Sequence, residues 1–139
     1  MIRLARSDDR DALREIQNTL REPNPALLVY AINGPPVVFV STADDAPVGY
    51  LVAFYDDEAG YVAEIAVAPE RRREGRARRL LGAAFDHLRD AGCARMRLSV
   101  HPENDAARSL YGSIGFAEVG REDDYYDDGS EAITMARDL

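Results

Sequence analysis

The sequence has no lysine, one cysteine and two histidines, and no long apolar run. Each scarcity removes a class of function. Without lysine there is no P-loop, whose lysine reaches the nucleotide phosphates. Cys93 alone can build neither an internal disulfide framework nor a CxxC zinc or redox site. His87 and His101 form no HExxH pair, and no carboxylates stand at metal-ligand spacing, so no metal is expected. The longest apolar runs, such as VVFV, are far too short to span a bilayer. The opening MIRLARSDDR lacks the apolar stretch of a signal peptide, which predicts a cytoplasmic protein. A length of 139 residues with no linker, repeat or low-complexity segment predicts a single domain over 1–139, large enough to bury a core unaided.

Charge is abundant, and unevenly placed. All 17 basic residues are arginine, set against 25 carboxylates, for a formal net charge of -8. A salt-rich cytosol, which favours hydrated acidic surfaces, fits this balance; a GC-rich genome, which favours arginine codons, explains the missing lysine but not the carboxylates. Net negative charge argues against general binding to nucleic acid or to anionic membranes. Yet positions 70 to 79 hold six arginines with only Glu70 and Glu74, a local excess of +4, while the other eleven arginines face 23 carboxylates, leaving -12.

Periodicity along the chain predicts an alternation of strands and helices. IRLA reads as a short strand; Ser7, followed by Asp8 and Asp9, reads as the cap of a helix with Leu13, Ile16 and Leu20 on its apolar face. REPNP interrupts it, and a second helical segment follows over Ala26 to Ile32 until NGPP ends it. VVFVS, PVGYLVAFY and YVAEIAVA read as three strands of an antiparallel meander. Between Glu70 and Ala91 the apolar residues recur at helical spacing, with Gly92 as the stop. CARMRLSV is a further strand, NDAARSLYGSIG a helix closed by Gly115, and FAEVGREDDYY and EAITMARDL two last strands joined at DDG. The order implies an α/β (α+β) fold: a mixed, mostly antiparallel sheet of six or seven strands with helices on both faces.

The arginine stretch lies where a strand passes through Pro69 and a glycine turn into a helix start, whose free N–H groups and dipole make an anion site. Gly75 and Ala77 are small where backbone would approach the anion, and Arg72, Arg73 and Arg76 add charge. The dinucleotide fingerprint fails, because one glycine stands where three are needed and no parallel βαβ unit precedes it. The pattern Arg72-x-x-Gly75-x-Ala77 resembles the Q/R-x-x-G-x-G/A segment of the GNAT acetyltransferase superfamily. About 30 residues on, Asn104, Ala107, Leu110, Tyr111, Gly115 and Phe116 match that family's N-x-x-A-x-x-L-Y-x-x-x-G-F motif. The element order resembles the GNAT fold throughout.

The resemblance implies acetyl-CoA as co-substrate, with its pyrophosphate on the turn from Arg72 through Arg73, Glu74, Gly75 and Arg76 to Ala77. It places the pantetheine arm between two splayed central strands, against Ile65, Ala66 and Val67, with Asn104, Ala107 and Tyr111 on the helix beyond. Tyr111 then stands beside the sulfur as the acid for the departing thiolate. Glu64, read as sharing a strand face with Val62 and Ala66, is the candidate base for the amine, acting directly or through water. Cys93 lies too far from the turn for an acetyl-enzyme.

The tail DDYYDDGSEAITMARDL is similar to the RimI-type and N-terminal acetyltransferase A-type subgroup, which implies peptide contacts for Tyr125 and Tyr126 and, on the REPNP loop, for Glu22. That subgroup carries a glutamate base where this chain has Ser99. The acceptor implied is a protein N-terminal α-amine, with a small amine such as a polyamine, amino acid or antibiotic as the alternative. A non-catalytic acyl-CoA-binding regulator is a third reading; monomer and homodimer remain equally open.

Overall fold

The computed structural model describes residues 1–139. Its strands are β1 (Ile2–Leu4), β2 (Val37–Ala43), β3 (Ala46–Tyr55), β4 (Ala59–Val67), β5 (Arg95–Val100), β6 (Ala117–Glu122) and β7 (Ala132–Asp138). The helices are α1 (Arg10–Gln17), α2 (Pro25–Ala31), α3 (Arg76–Asp90) and α4 (Asp105–Ser113). All seven strands form one sheet in the order β1-β2-β3-β4-β5-β7-β6, and every neighbouring pair is antiparallel except β4 with β5.

Two-residue alternation in the central strands divides the core into two layers. Val37 and Phe39 of β2 and Leu51 and Ala53 of β3 face α3 and α4; Val38, Val40, Tyr50 and Val52 face α1 and α2. Leu80, Leu81, Ala84, Phe85 and Leu88 bury one stripe of α3. Each large side chain so buried contributes about 1.5–3 kcal/mol. The helix sits so close to the sheet that a Cβ on Gly60 would lie 1.8 Å from Leu88 Cδ2, which explains a glycine inside β4. Helices thus cover both faces.

Two local expectations are corrected. Ser7 does not cap α1: it opens a 3₁₀ turn, Ser7–Asp9, and α1 begins at Arg10. No side chain caps α1; the Asp9 carboxylate instead closes the start of the 3₁₀ turn. Its Oδ2 accepts from the Arg6 N–H at 2.7 Å, and the Arg3 guanidinium donates to both oxygens at 2.7 and 2.8 Å. That partner holds the Asp9 carboxyl below its ordinary value despite burial. The strand expected over FAEVGREDDYY stops at Glu122, because Asp124 takes a left-handed conformation (φ 52°) and both Tyr125 and Tyr126 donate their N–H to the Ser130 carbonyl. Both tyrosines therefore lie on a compact loop between β6 and β7.

Candidate active site

The parallel seam between β4 and β5 holds for only four residue pairs, Ala59–Val62 against Arg95–Leu98. Beyond it the strands part. At the parting point β4 carries a bulge: Ala53 pairs with Val62 and Val52 with Glu64, so Ala63 is the extra residue. The inserted residue reverses the faces that simple alternation would give. Val62 packs toward α3, whereas Glu64 and Ala66 face α1 and α2; the expectation that Glu64 shares a face with Val62 is corrected accordingly. Ala68 N–H donates to Val48 O at 2.8 Å, so by alternation the N–H groups of Ile65 and Val67 point away from β3 into the gap.

Gly75, in left-handed conformation (φ 76°), stands immediately before α3, and Arg73 is left-handed as well (φ 64°). None of the backbone N–H groups from Arg73 to Arg78 has an acceptor within the protein. Six consecutive free donors at the positive end of a fifteen-residue helix make this turn a cradle suited to an anion. The flanking arginines differ in what they offer it. Arg76, expected to add charge, is spent on the fold: it pairs with Glu74 at 2.8 Å and donates to Ser41 Oγ and Thr42 O. Arg72 Nε reaches the Val67 carbonyl at 3.2 Å, while the Arg73 side chain makes no hydrogen bond within the protein.

Where β4 and β5 diverge lies a cavity of about 300 Å³, lined by Val62 to Ile65, by Leu98 to Val100, and by residues from three loops and α4. It gathers Glu64, Glu22, Tyr111, Tyr126, Asn104 and Ile65 around one space. Ala66 and Val67 continue β4 toward the cradle, and Ala77 lies in the first turn of α3. Asn104 caps α4, its Oδ1 accepting the Ala107 N–H at 3.1 Å, which fixes the helix that carries Tyr111. Tyr125 lies outside the cavity lining; its hydroxyl meets that of Tyr61 at 2.9 Å, and Tyr61 in turn approaches Ser99 at 3.4 Å.

Electrostatics sort these groups. Burial raises the Glu64 carboxyl, and hydrogen bonds from Tyr50 and Gln17 partly offset the rise. Burial pushes the Tyr111 phenol up to about 12, so it stays protonated at any physiological pH. Tyr126 also rises to about 12, chiefly by burial. Three residues were missed by sequence reasoning. Tyr50 and Gln17, both fully buried, donate to Glu64 Oε1 at 2.6 and 2.8 Å. A polar Gln17 on the apolar stripe of α1 was the available signal. His101 also lines the cavity, its ring against that of Tyr126 at 5.5 Å. No group of three or more His, Cys, Asp or Glu could hold a metal ion, and no helix is long and apolar enough to cross a membrane.

A seven-stranded sheet split beside a helix start with free N–H groups, with a carboxylate and a phenol facing one cavity, is an arrangement shared with the acyl-group transferases that the chain resembles. The chain belongs to the acetyltransferase (GNAT) family, whose profile matches residues 4–116. The N-alpha-acetyltransferase of Saccharolobus solfataricus is 32% identical, over 99% of this chain and 92% of the relative. Among solved structures, Ard1 from Thermoplasma volcanium superposes with TM-score 0.91 at 28% identity, covering 100% of this chain and 97% of that one. The ribosomal-protein-S18-alanine N-acetyltransferase of Escherichia coli superposes with TM-score 0.90 at 27% identity, covering 100% and 93%.

Proposed function

We propose that this protein transfers the acetyl group of acetyl-CoA to the N-terminal α-amine of a protein, by direct attack within a ternary complex. The observation that carries the reading is the single cavity that joins Glu64, Tyr111, Glu22 and Tyr126 at the mouth of the β4/β5 gap, next to the free amides of residues 73 to 78. Those amides, with Gly75 leaving the approach clear and Arg72 and Arg73 nearby, suit a diphosphate; the gap suits an extended arm pairing with strand backbone. Acetyl-CoA supplies an activated acetyl thioester. Each further step belongs to residues of the chain.

The N–H of Val67, turned into the gap, stabilises negative charge as it develops on the attacked carbonyl oxygen. Glu64 takes the proton of the incoming ammonium, directly or through one water. An α-amine at about 8 lies some 2.4 pKa units below a lysine side chain at about 10.4, which is about 3.3 kcal/mol less for a carboxylate base to overcome. The elevated Glu64 carboxyl narrows that gap further. Tyr111 donates a hydrogen bond to the leaving sulfur. Tyr126 and Glu22, at the outer rim, hold the peptide behind its amine, with Tyr125 supporting Tyr126 edge-on at 4.9 Å. The names of the relatives, N-alpha-acetyltransferases in an archaeon and a ribosomal-protein alanine acetyltransferase in a bacterium, support the same acceptor.

The test is release of free CoA from acetyl-CoA in the presence of peptides with a free N-terminus, the same peptides blocked there, and polyamines, each in low and high salt. Turnover confined to free N-termini is expected. Equal or better turnover of polyamines would transfer the assignment to small amines, and CoA binding without turnover of any amine would make the protein a regulator.

A further inference from the structure

Glu64 is held from two directions, and both holds converge on one oxygen. Tyr50, on the neighbouring strand β3 and fully buried, donates to Oε1 at 2.6 Å. Gln17, at the last turn of α1 and equally buried, donates to the same Oε1 at 2.8 Å. No side chain donates to Oε2, and the nearby Asn24 backbone N–H adds a smaller contribution in favour of the charged carboxylate. The Gln17 amide also donates to the Asn24 carbonyl at 2.7 Å, so one NH₂ group ties the carboxylate to the loop that carries Arg21 and Glu22. Neither residue lines the cavity, so neither touches an acceptor there.

We propose that Tyr50 and Gln17 are positioning residues for the base: they pin Glu64 Oε1 from two sides and turn Oε2 to receive the amine proton. This rests on the reading of Glu64 as base. The geometry accounts for two otherwise costly choices in the core. A tyrosine in β3 whose hydroxyl is sealed from water needs an acceptor, and a glutamine on the apolar stripe of a helix needs partners for its amide. Glu64 gives the tyrosine hydroxyl its acceptor and, together with the Asn24 carbonyl, takes both protons of the Gln17 NH₂ group, while Gln17 Oε1 stays without a partner. Two donors on one oxygen favour the charged form, opposing the desolvation that raises the carboxyl. The other titratable groups around the cavity are Arg21 and Glu22 on the α1–α2 loop, His101 and Glu103 after β5, Tyr111 on α4 and Tyr126 after β6; none makes a hydrogen bond to Glu64.

The experiment compares Tyr50→Phe, Gln17→Met and Glu64→Gln with the parent protein. Carboxyl carbons of labelled glutamate are titrated by NMR, with the Glu64 resonance assigned by its loss in Glu64→Gln, and kcat is followed against pH at saturating peptide. Loss of one hydrogen bond to the charged form should move the Glu64 titration upward by about one to two pH units. The acid limb of kcat should move with it, while the alkaline plateau changes far less. An unmoved titration in both Tyr50→Phe and Gln17→Met overturns the proposal. Tyr50→Phe removes one oxygen and keeps the ring, and Gln17→Met supplies an independent second variant should the first unfold. Failure of the underlying reading looks different: Glu64→Gln would then turn over at the parental rate, even if the NMR titration shifts as expected.

Discussion

Tyr111→Phe is the substitution whose magnitude the structure fixes most closely. The phenol is raised to about 12 by burial alone. A thiol leaves as a thiolate with an ordinary pKa of about 8.5. Full transfer of the Tyr111 proton to that thiolate would be uphill by roughly 3.5 pKa units, or about 5 kcal/mol. The same burial raises a thiolate as well, which narrows the difference; a donated hydrogen bond to the developing charge needs no transfer and sets the smaller of the two effects, outright protonation the larger. Such a bond contributes about 1.5–3 kcal/mol, a factor of roughly 10 to 150 in rate, against the 10²–10⁴ typical of general acid catalysis. The ring itself packs on Phe116 at 5.9 Å and stays in the variant, and the hydroxyl has no partner within the protein, so folding stability should hardly change. Single-turnover and steady-state CoA release, together with calorimetric CoA affinity, test this directly. A loss of 10³-fold or more would mean that the proton is handed over after all; an unchanged rate would remove Tyr111 from the chemistry.

Two further substitutions probe the scaffold. Gly75→Ala forces a side chain into a left-handed turn at a cost of about 1–2 kcal/mol, so calorimetry should find CoA bound roughly 5- to 30-fold more weakly; unchanged affinity and stability together would show that the cradle does not need this turn. Asp9→Asn breaks the bidentate pair with Arg3 while Arg3 keeps some solvent contact, and about 3 kcal/mol of unfolding free energy should be lost in urea titrations at neutral pH. Since the folded-state Asp9 carboxyl is depressed, its contribution is present above the unfolded value near 3.9 and fades as pH falls through the folded one. The difference between variant and parent should therefore shrink below about pH 4, and a difference independent of pH would refute the ion-pair account.

Much of this molecule is readable from its residues, because each clear element carries its own composition or period. VVFVS, PVGYLVAFY and YVAEIAVA are short runs rich in β-branched and aromatic residues bounded by turn residues, the first two buried on both faces, the stretch after Gly75 repeats every three or four residues, and the anion turn announces itself by glycine and arginine. The site is legible only in part. Glu64 could be named, but the bulge that aims it depends on one extra residue, Ala63, which no periodicity flags. Its partners come from 47 and 14 residues away, and only the folded chain brings Gln17 and Tyr50 to the same oxygen. Arg76 looked like part of the anion site by position; the Thr42 carbonyl and Ser41 hydroxyl at the end of β2, with Glu74, claim it instead. Tyr125 and Tyr126 belonged to a strand by β-propensity, and a left-handed Asp124 took them out of it.

The short ladder between β4 and β5 has a consequence for how the protein comes apart. Four residue pairs join those strands, against seven in each of the two ladders before it; only the three-pair ladder of the edge strand β1 is shorter, so the weakest line between central strands runs directly beside the cavity that holds Glu64 and Tyr111. Thermal breathing should concentrate there. A thioester carrier lying along the seam acts as a suture: at a hundredfold excess over its dissociation constant it adds about 2.7 kcal/mol of stability. The enzyme would then be most rigid when loaded and would loosen after each turnover, as spent carrier leaves.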